Sequence, residues 1–184
     1  MTEKHDDSIK NSTITEVEWV PVSLTKDKRD SDMRRTLSSL PLFENISTRD
    51  WRELASLFHK RTFSDEEIIF RYGTPGLGMY IVIDGNVVIY SKEKTNDVEI
   101  ARLGPGSFFG EMSLIDEIDR SATAVSSGNS NLIGIFRPQL KDLMYHRPRL
   151  GLILMERLAC IVVSRLREAD KRLMEYRKKL NSEN

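Results

Sequence analysis

The residues best equipped for chemistry lie together in Phe108–Val125, FFGEMSLIDEIDRSATAV. Gly110 and Glu111 come first, and Arg120 stands nine residues after Glu111 with Ser121 beside it. A carboxylate can accept hydrogen bonds from a sugar diol. A guanidinium next to a hydroxyl can clamp a phosphate through paired, charge-assisted bonds that a lysine does not reproduce. Glycine before the carboxylate lets the backbone approach the sugar closely. Together these groups suit a small phosphorylated sugar. Outside any further context, a glutamate and an arginine at this spacing would be a surface ion pair contributing little.

Strand-like residues flank the stretch, and more of them precede it. Short β-rich runs occur at Glu67–Phe70, Met79–Ile83, Asn86–Tyr90, Val98–Leu103, Thr123–Ser126 and Leu132–Phe136. Turn signals separate them, at Gly73–Gly76, Asp84–Gly85, Thr95–Asp97, Gly104–Gly106 and Gly128–Asn129. Asp84–Gly85 between two apolar runs predicts a two-residue hairpin. Strands this short at this spacing predict a barrel or sandwich, not a parallel sheet. Before them, Ser47 and Asp50 make a capping-box-like start, with Asp in place of Glu. Trp51, Leu54, Ala55 and Phe58 then predict a helix to about Phe58. The expected class is α+β, mainly β: a short-stranded β-barrel with an N-terminal helix and a long C-terminal helix.

That last helix starts at Pro148, after a short one from Pro138 to about His146, and is expected to reach about Leu180. It carries a heptad seam: Leu152, Met155, Ala159, Val162, Leu166, Ala169, Leu173, Tyr176 and Leu180. A second apolar face, Leu154, Leu158 and Ile161, is confined to its first half. The pattern predicts a helix that packs on its own barrel first, then projects and pairs with a second copy as a homodimer. The alternative is one long helix lying on its own domain. Three regions follow: a polar, flexible tail over 1–36, a barrel domain over 37–146 and a dimerising helix over 147–180. Ile14–Val22 is the exception within the tail, since an exposed Trp19 there would be unusual.

The bulk composition narrows the function classes. At 184 residues the chain holds one well-buried domain plus tails. Lys plus Arg and Asp plus Glu balance at 28 each, so nothing draws the whole chain to nucleic acid or an anionic membrane. A single cysteine, Cys160, excludes an intramolecular disulfide and fits a reducing compartment. Its apolar neighbours predict a buried, inert thiol. The N-terminus has no signal-peptide core, and Leu150–Val163 is too short and too charged to span a bilayer. A cytoplasmic protein without membrane contact is expected. Catalysis is poorly supported: Gly104, Gly106 and Gly110 are one residue off the dinucleotide fingerprint, and no P-loop lysine follows a glycine loop. His5, His59 and His146 have no metal-ligand spacing. Neither an enzyme nor a metal or cofactor is expected.

The order of helix, short strands, glycine–glutamate turn, arginine, strands and two helices resembles the cyclic nucleotide-binding domain family. The segments that carry the resemblance are YIVIDG at Tyr80–Gly85, LGPGSFFGEMSL at Leu103–Leu114 and RSATA at Arg120–Ala124. It covers about Leu40 to Arg167 and is nearest the bacterial branch that includes the catabolite activator protein. It implies a jelly-roll pocket for a cyclic nucleotide, formed by Phe109, Gly110, Glu111, Met112, Ser113, Arg120, Ser121 and Ala122. Glu111 would accept the ribose 2′-hydroxyl. Arg120 and Ser121 would hold the cyclic phosphate, with a helical turn over Met112–Ile115 offering its amides. The purine would lie against the long helix near Ala169 and Asp170. An Asp170 carboxylate could take two donors from guanine or one from adenine, while the bacterial flavour of the cassette favours cyclic AMP over cyclic GMP. One departure is Asp119, where the family usually has a proline before the arginine.

Relatives that bind DNA carry a helix-turn-helix after the long helix. Only Asn181–Asn184 follow Leu180, so no DNA-binding domain is expected in this chain. The basic cluster Lys171, Arg172, Arg177, Lys178 and Lys179 reads as a solvated helix face. Two functions remain. One is a stand-alone sensor that binds a cyclic nucleotide and signals through its terminal helix to a dimer or to an unknown downstream protein. The other is a ligand-independent dimerising scaffold with a vestigial pocket.

Overall fold

Two long strands organise the computed structural model, which describes residues 19–22, 28–92 and 97–182. β4 (Gly78–Lys92) and β7 (Thr123–Phe136) run antiparallel along nearly their whole lengths. Their partners are β1 (Val20–Pro21), β2 (Phe58–Phe63), β3 (Ile68–Phe70), β5 (Asp97–Leu103) and β6 (Phe108–Phe109). The seven form one sheet in the order β1-β2-β7-β4-β5, with β3 added to β7 and β6 to β4. The helices are α1 (Lys28–Ser38), α2 (Thr48–Ala55), α3 (Met112–Ile115), α4 (Arg137–His146) and α5 (Pro148–Ser182), and a 3-10 turn covers Pro41–Phe43. An antiparallel sheet with flanking helices is the α+β, mainly β class expected.

β4 and β7 are apolar on both faces because the sheet separates two cores. Successive strand side chains point to opposite faces. Met79 and Ile81 of β4, with Ile133 and Ile135 of β7, join the larger core beneath the helices. Tyr80 and Val82, with Leu132, join a smaller core inside the barrel with Phe63, Ile89 and Phe109. The helical core is closed by Leu37 of α1, Trp51 and Leu54 of α2, Leu140 and Leu143 of α4, and Leu154 and Leu158 of α5. Ser47 caps α2: its hydroxyl accepts from the Asp50 amide at 3.1 Å and donates to the Asp50 carboxylate at 2.7 Å.

Several expectations change. No hairpin forms at Asp84–Gly85. β4 passes through it with register shifts on either side, and Gly85, at φ +82°, bends the strand without reversing it. Opposite, Gly128 at φ +74° lies within β7, so two bent strands replace four short ones. β2 begins at Phe58, where the helix was expected to end, because Phe58 fits both the helical spacing from Trp51 and the strand that follows. The polar tail expected to run to residue 36 is helical from Lys28, and Val22, Met33 and Leu37 are buried in the main core. The rest of that tail, 1–18 and 23–27, lies outside the described residues, as does most of the turn at 95–97. Cys160 is exposed, since it sits two residues past the buried Leu158 on the opposite face of α5.

α5 divides as its two apolar faces required. Leu150, Leu154 and Leu158 are buried on the domain. Of the seam, Leu166, Leu173, Tyr176 and Leu180 are all more than half exposed. Among the described residues no helix is long and apolar enough to cross a membrane.

Candidate functional site

β6 delivers Phe109 into the barrel core, and the chain then turns at Gly110 into α3. Gly110 has φ +73°, and a Cβ there would stand 2.6 Å from the Arg120 Nη1, so both backbone and space demand glycine. The turn puts Glu111 at the start of α3, where its side chain is 7% exposed. Arg120 returns at the end of the loop. Its amide donates to the Thr74 carbonyl at 2.9 Å, and the Gly73 amide donates to the Arg120 carbonyl at 2.8 Å.

The Arg120 side chain is buried, at 5% exposure, and is held from several sides. Nη1 donates to the Ser113 hydroxyl at 2.8 Å and to the Gly110 carbonyl at 3.1 Å, and Nη2 donates to the Gly78 carbonyl at 2.7 Å. Its Cζ lies 4.2 Å from the centroid of the Phe70 ring and 5.5 Å from that of Tyr80. Its Nε is buried and has no hydrogen-bond partner among the described residues. Burial holds the Arg120 guanidinium below the ordinary arginine pKa, and the neighbouring Tyr80 partly offsets this. Burial likewise pushes the Tyr80 hydroxyl up, while the Arg120 charge pulls it part of the way back.

Phe70, Gly110, Ser113 and Arg120 border a cavity of about 590 Å³, within the size range of small-molecule sites. All eight cassette residues expected at the site line it: Phe109, Gly110, Glu111, Met112, Ser113, Arg120, Ser121 and Ala122. Asp119, in the position of the family's proline, is exposed and also lines it. On the helix side Ala169 lines the cavity, but Asp170 does not. Asp170 borders a separate shallow surface pocket with Arg167, Lys171 and Met174. The reason is helical geometry: one residue turns the side chain about 100°, carrying Asp170 off the face that Ala169 occupies.

Three functional residues escaped the sequence reading. Arg165 donates from Nη1 to Glu111 Oε1 at 2.7 Å and from Nη2 to the Phe108 carbonyl at 2.8 Å, and its Cζ stands 4.5 Å from the Phe108 ring centroid. This ties α5 directly to the cassette. Arg172, read as part of a solvated basic face, lines the cavity with Glu168, and the two pair at 3.1 Å. Both arginines were findable: Arg165, Ala169 and Arg172 follow at steps of four and three, one face of a helix. Arg137 left no such signal. It clamps α3 by donating to the Ser113 and Gly76 carbonyls at 2.8 Å each and to the Asp116 carbonyl, and it pairs with Glu117 at 3.1 Å. Its partners are mostly main-chain oxygens, which no side-chain pattern reveals.

Residues 60–147 match the family described as the cyclic nucleotide-binding domain. A cyclic AMP receptor protein of Thermus thermophilus is 35% identical over 138 residues, covering 72% of this chain and 60% of the relative. The crystal structure of Thermus thermophilus catabolite activator protein aligns at 34% identity with a TM-score of 0.65, covering 72% of this chain and 61% of that one. A cyclic nucleotide-binding domain from Methylobacillus flagellatus aligns at 26% identity with a TM-score of 0.69, over 78% of this chain and 82% of that one. This chain thus spans about three-fifths of the length of the curated relative. With the jelly-roll sheet, the glycine–glutamate turn and the buried arginine on one cavity, the chain belongs to the cyclic nucleotide-binding domain family.

Proposed function

We propose that the protein is a cytoplasmic regulatory module, not an enzyme, that binds a cyclic purine nucleotide and favours cyclic AMP over cyclic GMP. The observation that carries this is the convergence of Glu111, Arg120 and Ser121 on one cavity walled on its far side by α5. Glu111 accepts the ribose 2′-hydroxyl. Arg120 and Ser121 hold the cyclic phosphate, with main-chain groups around Met112 and Ser113. Phe109, Gly110 and Ala122 shape the wall, and the purine lies toward Ala169. The preference for cyclic AMP is supported by the name of the Thermus thermophilus relative, a cyclic AMP receptor protein. Asp170, the carboxylate that could take two donors from guanine, borders a separate surface pocket, which supports the same preference.

The output runs through α5. Arg165 of that helix holds the Glu111 carboxylate, so a ribose hydroxyl on Glu111 changes what α5 is tied to. A ligand shifts the helix only as far as it binds the two arrangements unequally. The exposed seam of α5 then passes the change to a second copy in a homodimer or to a downstream protein. One observation favours the rival scaffold reading: Glu111 pairs with Arg165, and Arg120 donates to Gly78, Gly110 and Ser113, so the chain itself engages both residues.

Calorimetric titration of nucleotide-free protein with cyclic AMP and then cyclic GMP decides between them. One site per chain with cyclic AMP tighter, abolished by Arg120→Ala, is the expected result. Absence of heat with either nucleotide from folded protein would establish the scaffold.

A further inference from the structure

Trp19 lies far from the phosphate-gripping residues in sequence, yet one ring separates it from them in space. β1 adds to the edge of β2, pairing Val20 with Lys60 and Pro21 with His59, and the Val22 amide donates to the Phe58 carbonyl at 2.9 Å. This short strand seats Trp19 on the barrel. Its ring stacks on Tyr80 with centroids 5.4 Å apart at 24°, and meets Phe136 and Phe63 edge-on at 5.3 and 5.9 Å. The seat is built to fit. A Cβ on Gly134, opposite Tyr80 in the sheet, would come within 3.0 Å of the Trp19 ring.

Tyr80 in turn belongs to the surroundings of Arg120. It stacks on Phe70 at 5.7 Å, and the Arg120 guanidinium lies over both rings. Phe70 and Arg120 both line the ligand cavity. Displacing Trp19 therefore uncovers a ring that helps fix the guanidinium. Offset aromatic pairs contribute to stability beyond their burial, so losing the Trp19 stack loosens the ring on which the guanidinium rests.

We propose that Trp19 is a positioning residue for Arg120: docking of the N-terminal strand through Trp19 on Tyr80 favours the guanidinium placement that receives the ligand phosphate, and ligand binding tightens that dock. The second half follows from the first, because coupling between two sites is reciprocal. The proposal rests on the cyclic nucleotide reading of the cavity.

The test is a double-mutant cycle on the full chain, with cyclic AMP affinity measured for the wild type, Trp19→Ala, Arg120→Lys and the double variant. Trp19→Ala is expected to weaken binding about 3- to 10-fold, within the range of couplings carried by residues outside a site. In the Arg120→Lys background the same substitution is expected to cost less than twofold, and Trp19→Phe should restore most of the loss. Multiplicative effects, or unchanged affinity in Trp19→Ala, would overturn the proposal. Acrylamide quenching of Trp19, taken as the difference between the wild type and Trp19→Phe, provides a second readout. Cyclic AMP should protect Trp19, and Arg120→Lys should expose it without any ligand. A wild type that binds neither nucleotide would sink the cyclic nucleotide reading alone. The ligand-free comparison would then decide the coupling: greater quenching in Arg120→Lys supports it and equal quenching refutes it.

Discussion

Glu111 is a carboxylate with almost no solvent contact that pairs with Arg165 at 2.7 Å. Replacing it by glutamine keeps its shape and removes the charge. Hydrogen bonds to charged groups contribute about 1.5–3 kcal/mol, so Glu111→Gln is expected to weaken cyclic AMP binding about 10- to 100-fold in calorimetry. An affinity within twofold of wild type would remove Glu111 from the site. Tyr80 yields a prediction about pH. Burial raises its pKa, so above the unfolded value, about 10, the unfolded chain loses a proton that the folded one keeps. The stability that this hydroxyl contributes is complete below that value and is lost as pH rises through the folded one. Tyr80→Phe should therefore lose less stability between pH 9 and 11 than the wild type, read from urea midpoints. Arg120 is shifted the opposite way by the same burial and stays charged near neutrality, where its desolvation is a standing cost that a bound anion offsets.

The long helix carries different roles at its two ends, and substitutions should separate them. Leu158 is 1% exposed in the main core, whereas Leu173 is 53% exposed on the seam. Leu158→Ala is expected to cost about 2–5 kcal/mol in denaturant unfolding, the range for truncating a buried leucine. Leu173→Ala should stay within about 0.5 kcal/mol, as surface changes do, when measured at concentrations where the chain is monomeric. The same division explains why this element was legible in advance: a 3.6-residue period survives any change of partner. β2 was not, because Lys60 and Arg61 interrupt a strand that is buried only at Phe58 and Phe63. The bent strands were misjudged for a related reason. Asp84–Gly85 has the chemistry of a turn, but the ladder from β4 to β7 continues past it, and long-range pairing outweighs a local preference.

For the molecule as a whole, the exposed seam makes self-association the expected state. Sedimentation should show a concentration-dependent dimer, and Leu166→Lys with Leu173→Lys should leave a folded monomer by placing charge at the would-be interface. A wild type that stays monomeric at high concentration would leave α5 to a different partner. Dimerisation and ligand binding meet on this helix, since Arg165 ties it to the cassette while Leu166, the next residue, faces outward.

Periodicity and turn residues by themselves determined the mainly β class and the helices α2, α4 and α5, and spacing singled out Gly110, Glu111, Arg120 and Ser121, while the rest of the cassette came from the family resemblance. Those signals are local, set by neighbours along the chain, and they survive without knowledge of what packs where. Only the tertiary structure decided that Asp170 turns away while Arg165 and Arg172 turn in, that Arg137 clamps the cassette, and that Trp19 docks on Tyr80. Each of these depends on which face of one element meets another, and their partners lie as far as 61 residues away in sequence. Contacts of that kind leave no period to read. They arise when two cores close on opposite faces of one bent sheet, bringing α5 against the cassette and Trp19 against the ring beside Arg120.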